Sequence, residues 1–230
     1  MEKNAGLRRL FIPLAALMVA VPAAWFASRC LAPAPREKAE TFTRVNNNLH
    51  QVDGEPAGPG HPEKAYRLYR SGAPSKKTFA KWCDEYHVER VIVLSGDAAD
   101  NELAYQAKGI CPEIKVVYDV KQHSSALGDG FLKLFDEQVA AARRDRAGLL
   151  IRCQMGAHRT GRLAAYYQMK YQGLSADQAI AVMERLGLKM DTATELVPQV
   201  KALDDYIHNR PCSQPAPACV IINSKKWVPK

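Results

Sequence analysis

Residues 148–170, GLLIRCQMGAHRTGRLAAYYQMK, constrain the fold more than any other part of the chain. The short apolar run 149–151 reads as a buried strand, and a helical pattern begins at about Thr160 and runs to Tyr171. Between them stand Cys153, then Gln154, Met155, Gly156, Ala157 and His158, then Arg159, Thr160 and Gly161. A strand that feeds a helix through a glycine-containing loop is a building unit of α/β layer folds. Such folds present ligands where strand C-termini meet helix N-termini. Cys153 occupies that junction.

The same alternation runs along the chain. Residues 65–69 are strand-like and lead into the turn Ser71-Gly72-Ala73-Pro74; Ser75 then caps a helix to about Tyr86. The β-branched run 89–94 suits a buried parallel strand, and residues 114–120 read as another. Phe131, Leu132, Leu134, Phe135, Val139 and Ala142 share one helical face, which predicts a helix over about 129–144. Arg143, Arg144, Asp145 and Arg146 then form a solvated helix end. Ser175 and Gln178 make a capping box for a helix ending near Gly187, and residues 195–209 supply the last helix. The expected architecture is α/β, with a central, mostly parallel sheet flanked by helices.

The N-terminus is of another kind. Lys3, Arg8 and Arg9 precede an uncharged apolar run, 10–27, broken only by Pro13 and Pro22. Residues 1–31 are therefore expected to be a membrane anchor, or a signal segment if cleaved, with the domain exported. Residues 32–60, rich in Pro, Gly, Asn and charge, read as a linker, 61–210 as the folded domain and 211–230 as an irregular tail. Export permits disulfides, and Cys212 and Cys219, bracketing a proline-rich loop, are the best placed for a local bridge. No C-x-x-C or Cys/His cluster occurs, so neither a zinc site nor another cofactor is expected. The net charge of +8 comes without a basic helix or an aromatic-plus-basic platform, which argues against nucleic acid as a partner.

The loop's chemistry follows from its place. Backbone N–H groups and the positive end of the following helix favour an anion, beginning with the cysteine's own thiolate. A thiolate so placed, beside a guanidinium, has a depressed pKa and is a ready nucleophile. Arg159 offers a planar fork for two phosphate oxygens, and Gly156 allows a conformation other residues resist. The expected reaction is in-line attack of Cys153 on a phosphate monoester, with residues 154–159 holding the phosphate. Thr160 donates to the sulfur and eases its departure when water hydrolyses the thiophosphate.

The segment resembles the signature of the cysteine-dependent protein tyrosine phosphatases, in their compact dual-specificity group. Leu68-Tyr69-Arg70-Ser71-Gly72-Ala73-Pro74 is similar to the opening of the bacterial members. Tyr171-Gln172-Gly173-Leu174-Ser175, with Ala179 and Met183, is similar to the helix pair behind their loop. An exported domain with a C-terminal cysteine pair matches the periplasmic ones. The resemblance implies a phosphorylated protein as substrate, on tyrosine and also on serine or threonine. Inositol phosphates or phospholipids are the alternative within the enzyme class, and a non-catalytic phosphate-binding module the alternative outside it. Relatives acting on such polyanions carry lysines in the loop, whereas this loop has none. Rhodanese and arsenate-reductase readings fit the Arg-Thr-Gly ending less well.

Two positions depart from the pattern. The family has histidine before the nucleophile, where this chain has Arg152, which either supports the thiolate by its charge or points away. The family also supplies an aspartate as general acid from upstream. Asp119, 34 positions before Cys153 (153 − 119), is the first candidate, with His123 and Asp129 the others. Asp129 also reads as a helix N-cap. Arg70 is expected either at the rim of the site or in a structural salt bridge.

Overall fold

The computed structural model describes residues 43–44, 47–55 and 65–225. The expected anchor, 1–31, lies outside them, as does most of the expected linker. Among the described residues no helix is long and apolar enough to cross a membrane.

Among the described residues five strands, β1 (His50–Gly54), β2 (Arg67–Ser71), β3 (Val88–Val93), β4 (Lys115–Asp119) and β5 (Gly148–Arg152), form one sheet. Its order is β1-β2-β5-β3-β4. β1 runs antiparallel to β2, and the remaining three pairings are parallel. Side chains alternate across the sheet with period two. Leu68, Ile92, Leu149 and Ile151 face the cluster built with α3 (Asp129–Asp145), α4 (His158–Gln172), α5 (Ala176–Arg185) and α6 (Leu196–Ile207). Tyr69, Val91, Val93 and Leu150 face a second cluster with Phe79 and Trp82 of α1 (Lys76–Asp84), joined by Tyr105 of α2 (Glu102–Gln106). The fold is thus the expected mostly parallel α/β sheet flanked by helices.

The helix signals act where the sequence places them. Ser75 caps α1 by accepting from Thr78 N, and Ser175 with Gln178 closes the capping box of α5. All six apolar residues expected on one face of α3 are buried. The bridge Cys212–Cys219 is present, and a second, Cys83–Cys111, joins α1 to the segment before β4.

Two expectations need correction. Residues 47–55 are not linker: they make a turn and β1. That strand has Val52 as its one apolar residue among five, too short a pattern to read. It forms because β2 supplies a pairing edge and not from its own propensity. Arg143 is not a solvated end either. Its guanidinium lies 5.1 Å from the ring centroids of Tyr66 and Tyr171 and donates to the Tyr167 hydroxyl at 2.9 Å. Those tyrosines lie far from Arg143 in sequence, and only the fold makes them its bed.

Candidate functional site

The register aligns the C-terminal ends of three parallel strands: Arg152 pairs with Ser71 on one side and with Val93 on the other. Cys153 follows at once, buried at 3 % exposure and the only free cysteine among the described residues. The next residues turn sharply, with Gly156 at φ +66°, and α4 begins at His158.

The loop's carbonyls are tied to partners outside it. Ala73 N donates to Gln154 O at 3.0 Å. Arg70 Nη2 donates to Gly156 O at 2.7 Å and Ala157 O at 3.3 Å. In a planar trans peptide the next residue's N–H points opposite to the carbonyl. The N–H groups of Met155, Ala157 and His158 are therefore turned to the inner side of the loop, where an anion would sit. Arg70 is thus not a rim residue, and among the described residues it is not half of a salt bridge: it lies buried beneath the loop and shapes it. Burial draws its pKa down to about 10, while the nearby Cys153 resists that fall.

Burial alone would push the Cys153 thiol up. The Thr160 hydroxyl and backbone N–H, the charge of Arg159 and the Met155 N–H outweigh it and hold the pKa below the ordinary thiol value. Arg159 is half-buried, its Nη1 donating to Leu94 O at 3.0 Å and Gln122 O at 3.4 Å. Among the described residues those are its hydrogen bonds, which leaves Nε and Nη2 to a ligand. A cleft of about 240 Å³ opens beside it, walled by Lys121, His123, His158 and Glu195 among others. Met155, 42 % exposed, lines a separate hollow with Thr43, Arg44, Asn47 and Gly72.

Arg152 points away from the sulfur. It is fully buried and donates to both carboxylate oxygens of Glu102, to Ser95 Oγ at 2.6 Å and to Asp97. These partners hold it charged in spite of burial.

The three acid candidates are not equivalent. Asp119 is half-buried at the end of β4, accepts from Ala98 N at 3.4 Å and is not part of the wall beside Arg159. Asp129 is buried at the start of α3, one residue after the N-cap Gly128. It accepts from Ser224 N (2.9 Å), Ser224 Oγ (2.8 Å) and Lys133 Nζ (2.8 Å), whose contacts hold its carboxyl well below the usual range. His123 does line the cleft. Residues 120–128, between β4 and α3, contain no carboxylate. Among the described residues the one carboxylate in the cleft wall is Glu195, just before α6 and more than forty residues beyond Cys153, where sequence reading had no reason to look. Arg162, buried one turn after Arg159, pins the cleft's far side through Ser125 O (2.8 Å) and Gln199, which in turn donates to Ser124 O. Among the described residues no His, Cys, Asp and Glu cluster could hold a metal ion.

No known family profile matches the chain, and no curated protein matches it. Solved structures do. The crystal structure of P. aeruginosa TpbA superposes with a TM-score of 0.54 at 24 % identity, over 76 % of this chain and 99 % of that one. A Cys-to-Ser variant of TpbA in complex with pTyr gives 0.54 at 23 %, over the same shares. The chain therefore has the fold of TpbA, and residues 153–161 carry the loop resemblance described above on that fold.

Proposed function

We propose that the chain hydrolyses phosphate monoesters through a cysteinyl-phosphate intermediate, acting on phosphotyrosine, and also phosphoserine or phosphothreonine, in exported proteins. One observation carries this reading. A buried thiol of lowered pKa sits at the strand ends with Arg159 beside it and loop N–H groups turned to the same side.

In the first step Cys153 Sγ attacks phosphorus and the P–O bond to the leaving group breaks. Arg159 and the N–H groups of Met155, Ala157 and His158 hold the equatorial oxygens. The leaving oxygen takes a proton, for which His123, in the cleft wall, is the donor best placed of the three candidates. In the second step water attacks phosphorus, the P–S bond breaks, and the Thr160 hydroxyl stabilises the departing thiolate. Arg152 takes no part.

Protein substrates are favoured by a loop without lysine. That TpbA, with this fold, is found with pTyr accords with it. An oxidising, extracytoplasmic location, with residues 1–31 as anchor or cleaved signal, is supported by the two disulfides. The phosphate-binding module without turnover draws on one observation, the lack of a carboxylate in residues 120–128; a thiol tuned toward thiolate weighs against it.

Turnover of p-nitrophenyl phosphate by the full chain tests the chemistry: activity that survives Cys153→Ser overturns the covalent mechanism. A panel of phosphopeptides, inositol phosphates and phospholipid vesicles tests the substrate, with phosphotyrosine peptides expected to be turned over best.

A further inference from the structure

Asn47 and Asn48, in the turn before β1, both adopt left-handed backbone conformations (φ 51° and 53°), which asparagine tolerates better than most residues. Asn48 is fully buried. Its Nδ2 donates to Gly156 O at 2.9 Å and to Leu186 O, at the end of α5, at 2.9 Å. Its Oδ1 meets His50 Nε2 at 2.9 Å and accepts from Thr43 N at 3.4 Å. Two donors and two acceptor positions are thereby filled, and the reversed amide would set oxygen against two carbonyls. The same contact fixes the His50 tautomer with its proton on Nε2.

We infer that Asn48 is a positioning residue for the Cys153 loop, making the turn before β1 part of the site's framework. Arg70 gives the Gly156 carbonyl one hydrogen bond only, because the second hydrogen of its Nη2 goes to Ala157 O. With that one bond alone the Gly156–Ala157 peptide could rock about the contact. Asn48 approaches the same carbonyl from the N-terminal turn and anchors it to α5, so the plane is set from two directions. The Ala157 N–H, opposite that carbonyl, is then fixed toward the phosphate. The inference rests on the phosphatase reading for the purpose of the loop, though not for the contacts themselves.

The test uses the full chain, with Asn48→Ala and Asn48→Asp. Loss of one such hydrogen bond is expected to lower kcat for p-nitrophenyl phosphate about tenfold. The aspartate variant, isosteric but with oxygen facing two carbonyls, should lose more. A merely structural role would lower melting temperature alone. A positioning role also raises the pH midpoint of Cys153 alkylation by iodoacetamide and weakens protection by inorganic phosphate. Folded variants whose alkylation midpoint and phosphate protection match the wild type overturn the inference. Should both fail to fold, His50→Ala removes the contact that orients the amide and leaves Asn48 in place; a smaller shift in the same direction supports the inference, and no shift overturns it. A wild type that alkylates and is protected by phosphate but does not turn over ester defeats the phosphatase reading and leaves this one to the thiol measurements.

Discussion

Arg152 and Glu102 meet inside the core through two hydrogen bonds, Nε to Oε1 at 2.5 Å and Nη2 to Oε2, with both side chains wholly excluded from water. The residue next to the nucleophile is thus committed to α2, and its charge is neutralised there instead of being spent on the sulfur. Removing one member of a buried pair leaves the other uncompensated, at about 3–5 kcal/mol. Glu102→Ala or Arg152→His should each lower the melting temperature by roughly 10 °C in a chain of this size. The double variant Arg152→His/Glu102→Leu should recover much of that loss and keep the thiol's alkylation profile. Single variants that melt like the wild type would show that the pair does not sustain the fold.

The lowered pKa of Cys153 sets a pH dependence. Its folded value lies below the free thiol's, about 8.5. The stability it confers is fully present above that value and is lost as pH falls through the lowered one. The rate of iodoacetamide inactivation should therefore reach its half-maximum below pH 8.5. Thr160→Val, which removes the hydroxyl that does most to favour the thiolate, should move the midpoint upward. A wild-type midpoint at or above 8.5 contradicts the electrostatic account of the loop.

The proton donor can be assigned by leaving group. His123→Ala should slow phosphotyrosine peptides by about 10²–10⁴-fold while barely affecting aryl phosphates with good leaving groups. Asp119→Asn should leave that ratio unchanged, since its carboxylate is bonded to Ala98 N and stands outside the cleft wall. Glu195→Gln is the necessary third arm, because Glu195 is the carboxylate the cleft does hold. The same leaving-group dependence in Glu195→Gln, and its absence in His123→Ala, would transfer the role.

What could be read from sequence were the local signals. The caps at Ser75 and Ser175, the apolar face of α3 and the Cys153–Arg159 spacing each lie within one turn or one short window, and the structure holds them there. What could not be read depends on distant partners. The stretch around Asn48 looks like linker because its structure comes from Gly156 and Leu186, more than a hundred residues away. Arg152 looks anomalous until Glu102 closes on it, and Glu195 is anonymous until α6 packs beside the loop. Arg70 carries no mark of its function except a resemblance in the motif around it.

Cys83–Cys111 spans 28 positions and ties α1 to the approach to β4. By the loop-entropy relation such a bridge is worth about 3–4 kcal/mol. Cys83→Ser/Cys111→Ser should accordingly lower the melting temperature by on the order of 10 °C. Activity at 25 °C should stay near wild type, because the bridge lies in the second cluster, across the sheet from α4. Equal loss of activity and stability would mean that the bridge holds the site itself.

Gly156 and Gly173 separate backbone strain from catalytic geometry, because both have left-handed φ, +66° and +70°. Placing alanine at either costs about 1–2 kcal/mol of conformational strain. At Gly173, beyond the end of α4, a methyl group meets nothing within 4 Å, so strain is the whole effect. At Gly156 it would lie 2.5 Å from Gly72 N and from Ser71 C, backbone atoms that cannot turn aside. The loop must move, and a displacement near 1 Å costs on the order of 10² in rate. Gly173→Ala should therefore lower stability by about 1 kcal/mol with kcat/KM unchanged. Gly156→Ala should lower kcat/KM for p-nitrophenyl phosphate roughly a hundredfold. If the two variants lose activity equally, the close approach of the loop to Ser71 and Gly72 is not what holds the phosphate-binding groups in place.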